Sequence, residues 1–181
     1  ATFSIFPYNR RQEEFLRATN RAAIADHANK FAKLLSADEG CVYDQIVELK
    51  LDELAPHISG PASPDRAVLL PAMAEHLKKG EWDDEISVCL IGSCTNSSYE
   101  DLSRAAEVCQ QCAEHGLKVK TKLLISPGSE QIRATIERDG IADIFRSVGG
   151  QILSNSCGPC IGQWKRTDID PKSGKRNSIL H

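Results

Sequence analysis

Residues 86–98 read ISVCLIGSCTNSS, and this stretch decides the fold. Ile86 to Ile91 is a nearly continuous apolar run, too short for a helix core and suited to a strand covered on both faces. Gly92 breaks the run, and the polar loop Gly92–Ser97 follows. From about Ser98 to Glu114 the period changes: Leu102, Ala105, Ala106, Cys109, Cys112 and Ala113 fall on one stripe of a helix. Ser97 with Glu100 has the spacing of a capping box, which would start that helix.

Further along the chain the same alternation repeats. Lys118–Ile125 predicts a second strand, Pro127-Gly128-Ser129 opens a helix through Arg138, and a short helix spans about Ile141–Val148. Gln151–Leu153 predicts a third strand, and Ser178-Ile179-Leu180 is strand-like. Strand–helix–strand–helix–helix–strand implies an α/β fold, a mostly parallel sheet flanked by helices in three layers with right-handed crossovers. Before this region, Pro71–Lys79 predicts a short helix ended by Gly80. The stretch Ser59-Gly60-Pro61-Ala62-Ser63-Pro64 stops any regular element and marks a domain boundary, dividing 1–60 from 61–181.

In the first part, Glu14–Thr19 and Ala22–Leu35 carry apolar residues at helical spacing. Phe15, Leu16, Ile24, Ala28, Phe31 and Leu35 are the expected core contacts, and Gly40 the stop. Val47, Leu49 and Leu51 alternate with Glu48 and Lys50, which predicts a half-buried strand within Val42–Leu51.

Composition narrows the function class. The chain has 181 residues, 26% of them charged, with a net charge of -3, which gives no basic surface for nucleic acid. Its apolar runs are far too short to span a bilayer. Seven cysteines without secretory features argue against a disulfide framework and for metal ligands or buried thiols. Both ends read as cut from a longer polypeptide.

In an open parallel sheet, ligands collect beyond the carboxyl ends of the strands. Two cysteine loops fall there: Gly92-Ser93-Cys94-Thr95-Asn96-Ser97-Ser98 and Ser156-Cys157-Gly158-Pro159-Cys160-Ile161-Gly162. The helix after the first loop favours a thiolate at Cys94 through its free N–H groups and dipole. Gly158 lets backbone approach closely, and Pro159 stiffens the turn between two sulfurs. Such a pair of loops suits an iron–sulfur cluster and suits zinc as well. If a cubane is held by three thiolates, one iron is left to take a water or substrate oxygen as a Lewis acid. Ser93 and Asn96 could hydrogen-bond such a centre or serve only in the turn. Cys109 and Cys112 also form a C-x2-C, but on the apolar stripe of a helix, where packing explains them. Cys41 and Cys89 read as structural, and Arg133, Arg138, Glu130 and Glu137 as a solvated helix face. None of His27, His57, His76, His115 and His181 has ligand spacing.

The segments GSCTNSSYEDLSRAAEV (92–108), PGSEQIRATIERDG (127–140) and CGPCIGQW (157–164), with FSIFPYNRR (3–11), resemble the aconitase family in its mitochondrial type. The resemblance implies that residues 1–60 end the second domain of such an enzyme. Residues 61–181 then make most of the third, cluster-bearing domain. It further implies that Cys94, Cys157 and Cys160 ligate a [4Fe–4S] cluster whose fourth iron binds citrate or isocitrate, with interconversion through cis-aconitate in the mitochondrial matrix. No catalytic acid or base is assigned within this chain: the resemblance puts these groups in other domains, so the fragment alone is expected to be inactive. Ser154, Ser156 and Lys165 depart from the commoner family residues, which leaves room for a paralogue. Two other readings remain: a related hydro-lyase for homocitrate or isopropylmalate, and an RNA-binding module in the cluster-free form, against which the net charge speaks.

Overall fold

A computed structural model describes residues 4–60, 63, 65–80, 82, 85–163, 172 and 179–181. The chain divides into two compact units, Ala1–Leu54 and Ala55–His181. Part of the Ser59–Pro64 linker, Trp164 and Lys165 lie outside the described residues.

In the first unit, helix α1 (Arg10–Ala18) starts four residues earlier than its apolar spacing suggests, because Asn9 caps it. The Asn9 side chain accepts from Arg11 and Gln12 N–H, and the Gln12 side chain accepts from the Asn9 N–H. Helix α2 (Ala22–Asn29) packs beside it through Arg17–Asp26 (2.7 Å) and Asn29–Glu13 (3.0 Å) contacts. It ends well short of Leu35, with a separate 3-10 turn at Ala32–Leu35.

Two expectations fail in this unit. Phe15, Ile24, Phe31 and Leu35 are exposed, Leu16 and Ala28 are half-buried, and among the described residues of this unit Ala25 is the buried apolar one. Residues 42–50 form no strand, and Val47, Leu49 and Leu51 face solvent. Both have one cause. An apolar stripe or an alternating segment records a face that wants covering, but burial needs a second layer and a strand needs a partner ladder. Among the described residues of this unit neither is present.

The second unit begins with a short antiparallel pair, β1 (His57–Ile58) and β2 (Val68–Leu69), and helix α3 (Met73–Lys78) after a 3-10 turn at Leu70–Ala72. Then come β3 (Val88–Gly92), α4 (Tyr99–Glu114), β4 (Lys122–Ser126), α5 (Glu130–Arg138), α6 (Ile141–Ser147), β5 (Gly150–Ile152) and β6 (Ile179–Leu180). The class is α/β, a parallel sheet flanked by helices, as the alternation implies. Strand order is β5-β4-β3-β6, every pairing parallel.

The pleat separates two cores. Leu123 and Ile125 face Leu102 and Ala106 of α4, Ile136 of α5, and Ile141, Ala142 and Phe145 of α6. Cys89, Cys109 and Cys112 pack against this core, as hydrophobic residues on a covered stripe do. On the other face Val88, Leu90 and Leu124 are covered in part by Leu153, Cys160 and Ile179. Steps β3→β4→β5 run one way across the sheet, and β6 then returns to the far side of β3. Where strand order reverses, loops diverge and leave a crevice beyond the carboxyl ends.

Candidate metal centre

The Cys94 loop leaves β3 through a strained turn. Gly92 has φ +92°, and Ser93 follows at φ +117°, a value a side-chain-bearing residue rarely adopts. A Cβ on Gly92 would stand 2.4 Å from the Ser126 carbonyl oxygen, so only glycine fits. The turn is pinned from several sides. Ser93 N–H donates to Ser126 O (2.9 Å), Gly128 N–H to Ser97 O (3.2 Å), and the Ser97 hydroxyl to the Ser93 carbonyl.

Ser97 is thus buried inside the loop, and the helix cap belongs to its neighbour. Ser98 caps α4, in a reciprocal box with Asp101. Two overlapping Ser-x-x-acid pairs stand in SSYED; the inward turn of Ser97 decides between them. The Ser98 hydroxyl and N–H hold the Asp101 carboxyl below its usual range.

The second loop follows β5. Its Gly158 precedes a 3-10 turn, Pro159–Ile161, closed by Gln163 N–H donating to Gly158 O (2.9 Å). There is little room at Gly158 for a side chain: a Cβ would lie 3.3 Å from the Gln163 carbonyl oxygen. The turn swings Cys160 onto the sheet face and leaves Cys157 exposed.

The two loops bring their sulfurs together. Cys94 and Cys157 line one cavity and stand near enough for each to shift the other's titration. The Cys160 sulfur lies 3.2 Å from the Ser93 hydroxyl. Cys94 borders two cavities. One, of about 390 Å³, is also lined by Ser93, Thr95, Asn96, Cys160 and His181; the other, of about 230 Å³, by Pro127, Gly128, Ser156 and Cys157. Among the described residues no three His, Cys, Asp or Glu side chains close on one point as ligands of a single metal ion.

Electrostatics make the thiols unequal. The Thr95 hydroxyl, 3.6 Å from the Cys94 sulfur, is the main cause that lowers the Cys94 thiol below its ordinary value, with the Cys157 thiol next. Cys157 is pushed up, first by the charge on the neighbouring Cys94. Of the pair, Cys94 is the first thiolate. Beyond the helix end that the sequence implies, the Thr95 hydroxyl and the neighbouring Cys157 favour the Cys94 thiolate.

Other sequence-based expectations divide. Cys41 is exposed rather than structural. Arg133 sits among Glu130 and Glu137 on a partly exposed helix face, as its spacing implies. Asn96 lines the larger cavity and is exposed. His181 is a site residue that sequence reasoning misses: its Nε2 lies 2.8 Å from the Gly92 carbonyl, at the mouth of the same cavity. Nothing in a histidine without ligand spacing signals that, since its position depends on β6 pairing with β3.

Comparison with known proteins extends this beyond one chain. A model of the aconitase family (aconitate hydratase) matches residues 1–180. Mitochondrial aconitate hydratase of Schizosaccharomyces pombe is 57% identical over 99% of this chain and 23% of its own length. The probable mitochondrial aconitate hydratase of Caenorhabditis elegans is 53% identical, and that of Saccharomyces cerevisiae, mitochondrial aconitate hydratase, 52%, with the same coverages. The chain thus spans about a quarter of these relatives. Among solved structures it is similar to aconitase X of Thermococcus kodakaraensis in its holo-form, at 26% identity and TM-score 0.37, over 46% of this chain and 21% of that one. With the family match running the length of the chain, cysteine loops included, this chain belongs to the aconitase family.

Proposed function

We propose that this chain is the cluster-bearing part of an aconitate hydratase, with Cys94, Cys157 and Cys160 as thiolate ligands of a [4Fe–4S] cluster. In the full-length protein the substrates are tricarboxylates: citrate, cis-aconitate and isocitrate. The observation that carries this reading is that Cys94 lines one cavity with Cys157 and another with Cys160, whose sulfur lies 3.2 Å from the Ser93 hydroxyl, although the loops are far apart in sequence. The donor set fits the group. It is made of thiols that line two neighbouring cavities, and the family implies an iron–sulfur cluster.

When bound, such a cluster supplies an iron without a protein sulfur, a Lewis acid toward hydroxyl and carboxylate oxygens. The chain's own residues do the rest. Thr95 stabilises the Cys94 thiolate, Ser93 hydrogen-bonds the Cys160 sulfur, and Gly158 shapes the turn between the second pair. Asn96 at the cavity edge is suited to a substrate oxygen. Residues 1–60 belong on this reading to the second domain and 61–181 to the third, the remaining domains of the same polypeptide completing the site. The isolated chain is inactive because it lacks them. The names of the relatives support action in the mitochondrion, and on this reading the compartment is the matrix and the pathway the tricarboxylic acid cycle. Among the described residues no helix is long and apolar enough to cross a membrane.

Anaerobic loading of the full-length protein with iron and sulfide tests the reading. A broad visible absorption from sulfur-to-iron charge transfer is expected, and Cys94→Ala, Cys157→Ala and Cys160→Ala should each abolish it. A colourless protein holding one zinc through the same thiols would overturn it.

A further inference from the structure

Ser126 closes β4, and its hydroxyl is completely buried with no hydrogen-bond partner among the described residues. Leaving a buried hydroxyl without a partner is costly, so a fold that keeps one has a use or a partner for it. Its location says which. In the ladder Ser126 is paired with Gly92, and its carbonyl oxygen accepts the Ser93 N–H, so it stands at the root of the Cys94 loop. Alternation along the strand puts its side chain on the face of Leu124. That face carries the Val88–Leu90–Leu124 patch, covered by Leu153 and Cys160. Leu153 in turn leads into the Cys157 loop, and its N–H donates to Ile125 O, one residue before Ser126.

The other two buried serines are engaged: Ser93 with the Cys160 sulfur, Ser97 with the Ser93 carbonyl. Ser126 therefore brings an unused donor to the carboxyl end of the sheet, next to Pro127 and Gly128, which line the smaller cavity with Cys94 and Cys157. Sulfur carrying negative charge is the acceptor that this edge is built to hold.

We propose that the Ser126 hydroxyl donates a hydrogen bond to the sulfur-rich centre held by Cys94, Cys157 and Cys160, raising its reduction potential and slowing its oxidative loss. The inference rests on the ligand reading above and adds a positioning residue that the cysteine motif does not contain. A donor to cluster sulfur stabilises the more negative, reduced state more than the oxidised one, so its removal makes oxidation easier.

The test uses the full-length protein, loaded anaerobically with iron and sulfide, as wild type and as Ser126→Ala, Ser126→Thr and Ser126→Val. Threonine and valine have nearly the same shape and differ in the hydroxyl, so their comparison stands even if alanine disturbs packing. Iron content and visible absorption establish that the cluster is present; the midpoint potential and the rate of bleaching in air are the readouts. The expected result is a lower potential and several-fold faster bleaching in the alanine and valine variants, with threonine near wild type. Equal potentials and bleaching rates in all four would overturn the proposal. A wild-type protein that takes up no cluster would sink the ligand reading itself, a different failure seen before any variant is compared.

Discussion

Replacing Gly92 by alanine puts a methyl group into the tightest point of the Cys94 loop. It would stand 2.4 Å from the Ser126 carbonyl oxygen and 2.9 Å from the Ser97 Cβ, on a residue with φ +92°. Two costs follow. A side chain in the left-handed region costs roughly 1–2 kcal/mol, and forcing a methyl into close-packed backbone another ~1–3 kcal/mol, about 2–5 kcal/mol together. Gly140 separates the two. It has φ +77° and open space, with nothing within 4 Å of where a Cβ would stand, so Gly140→Ala carries only the conformational part, about 1–2 kcal/mol. In urea unfolding followed by circular dichroism, a slope of about 2 kcal/mol per molar gives midpoint losses of roughly 1–2.5 M for Gly92→Ala. The same slope gives roughly 0.5–1 M for Gly140→Ala. Relief of the clash must also move the Ser93 N–H away from Ser126 O, and with it Cys94. Equal midpoints for the two variants would refute the close approach, and with it the claim that the sheet edge fixes this loop.

Two further outcomes follow from the geometry and charges. In the metal-free protein, Cys94, whose thiol is lowered, should be alkylated by iodoacetamide with half-maximal rate below the ordinary thiol pKa of about 8.5, and Cys157, whose thiol is raised, above it. Peptide mapping by mass spectrometry across pH checks this, and the reverse order contradicts the assignment of Cys94 as first thiolate. Phe145→Ala removes a fully buried ring from the core between the sheet and the helices and should cost about 3–5 kcal/mol in a urea titration. Phe15→Ala removes one that is 61% exposed and should cost no more than about 1 kcal/mol.

How much of this was legible in the sequence depends on where the deciding contact lies. β3, α4 and α5 were readable because their signals are local: an apolar run buried on both faces, a stripe with Leu102 and Ala106, a serine before the first turn. The convergence of two cysteine loops was readable because parallel strands end on the same side and both loops follow strand ends. The 42–51 alternation misled because a strand is a relation between two segments, and the chain alone does not say whether the second is present. The Ser97 cap was off by one residue because the loop's tertiary turn, not the Ser-x-x-acid spacing, chose the cap. His181 and Ser126 were invisible for the same reason. One depends on β6 returning beside β3, the other on which face of β4 the Cys160 turn covers.

The most direct test of three cysteines as the ligand set is Mössbauer spectroscopy of the iron-loaded full-length protein titrated with citrate. With three thiolate ligands, about a quarter of the iron signal should be distinct and should change when citrate is added, while the remainder stays put. Iron that is sulfur-coordinated throughout and indifferent to citrate would mean a fourth protein ligand, and the account of this site would be wrong.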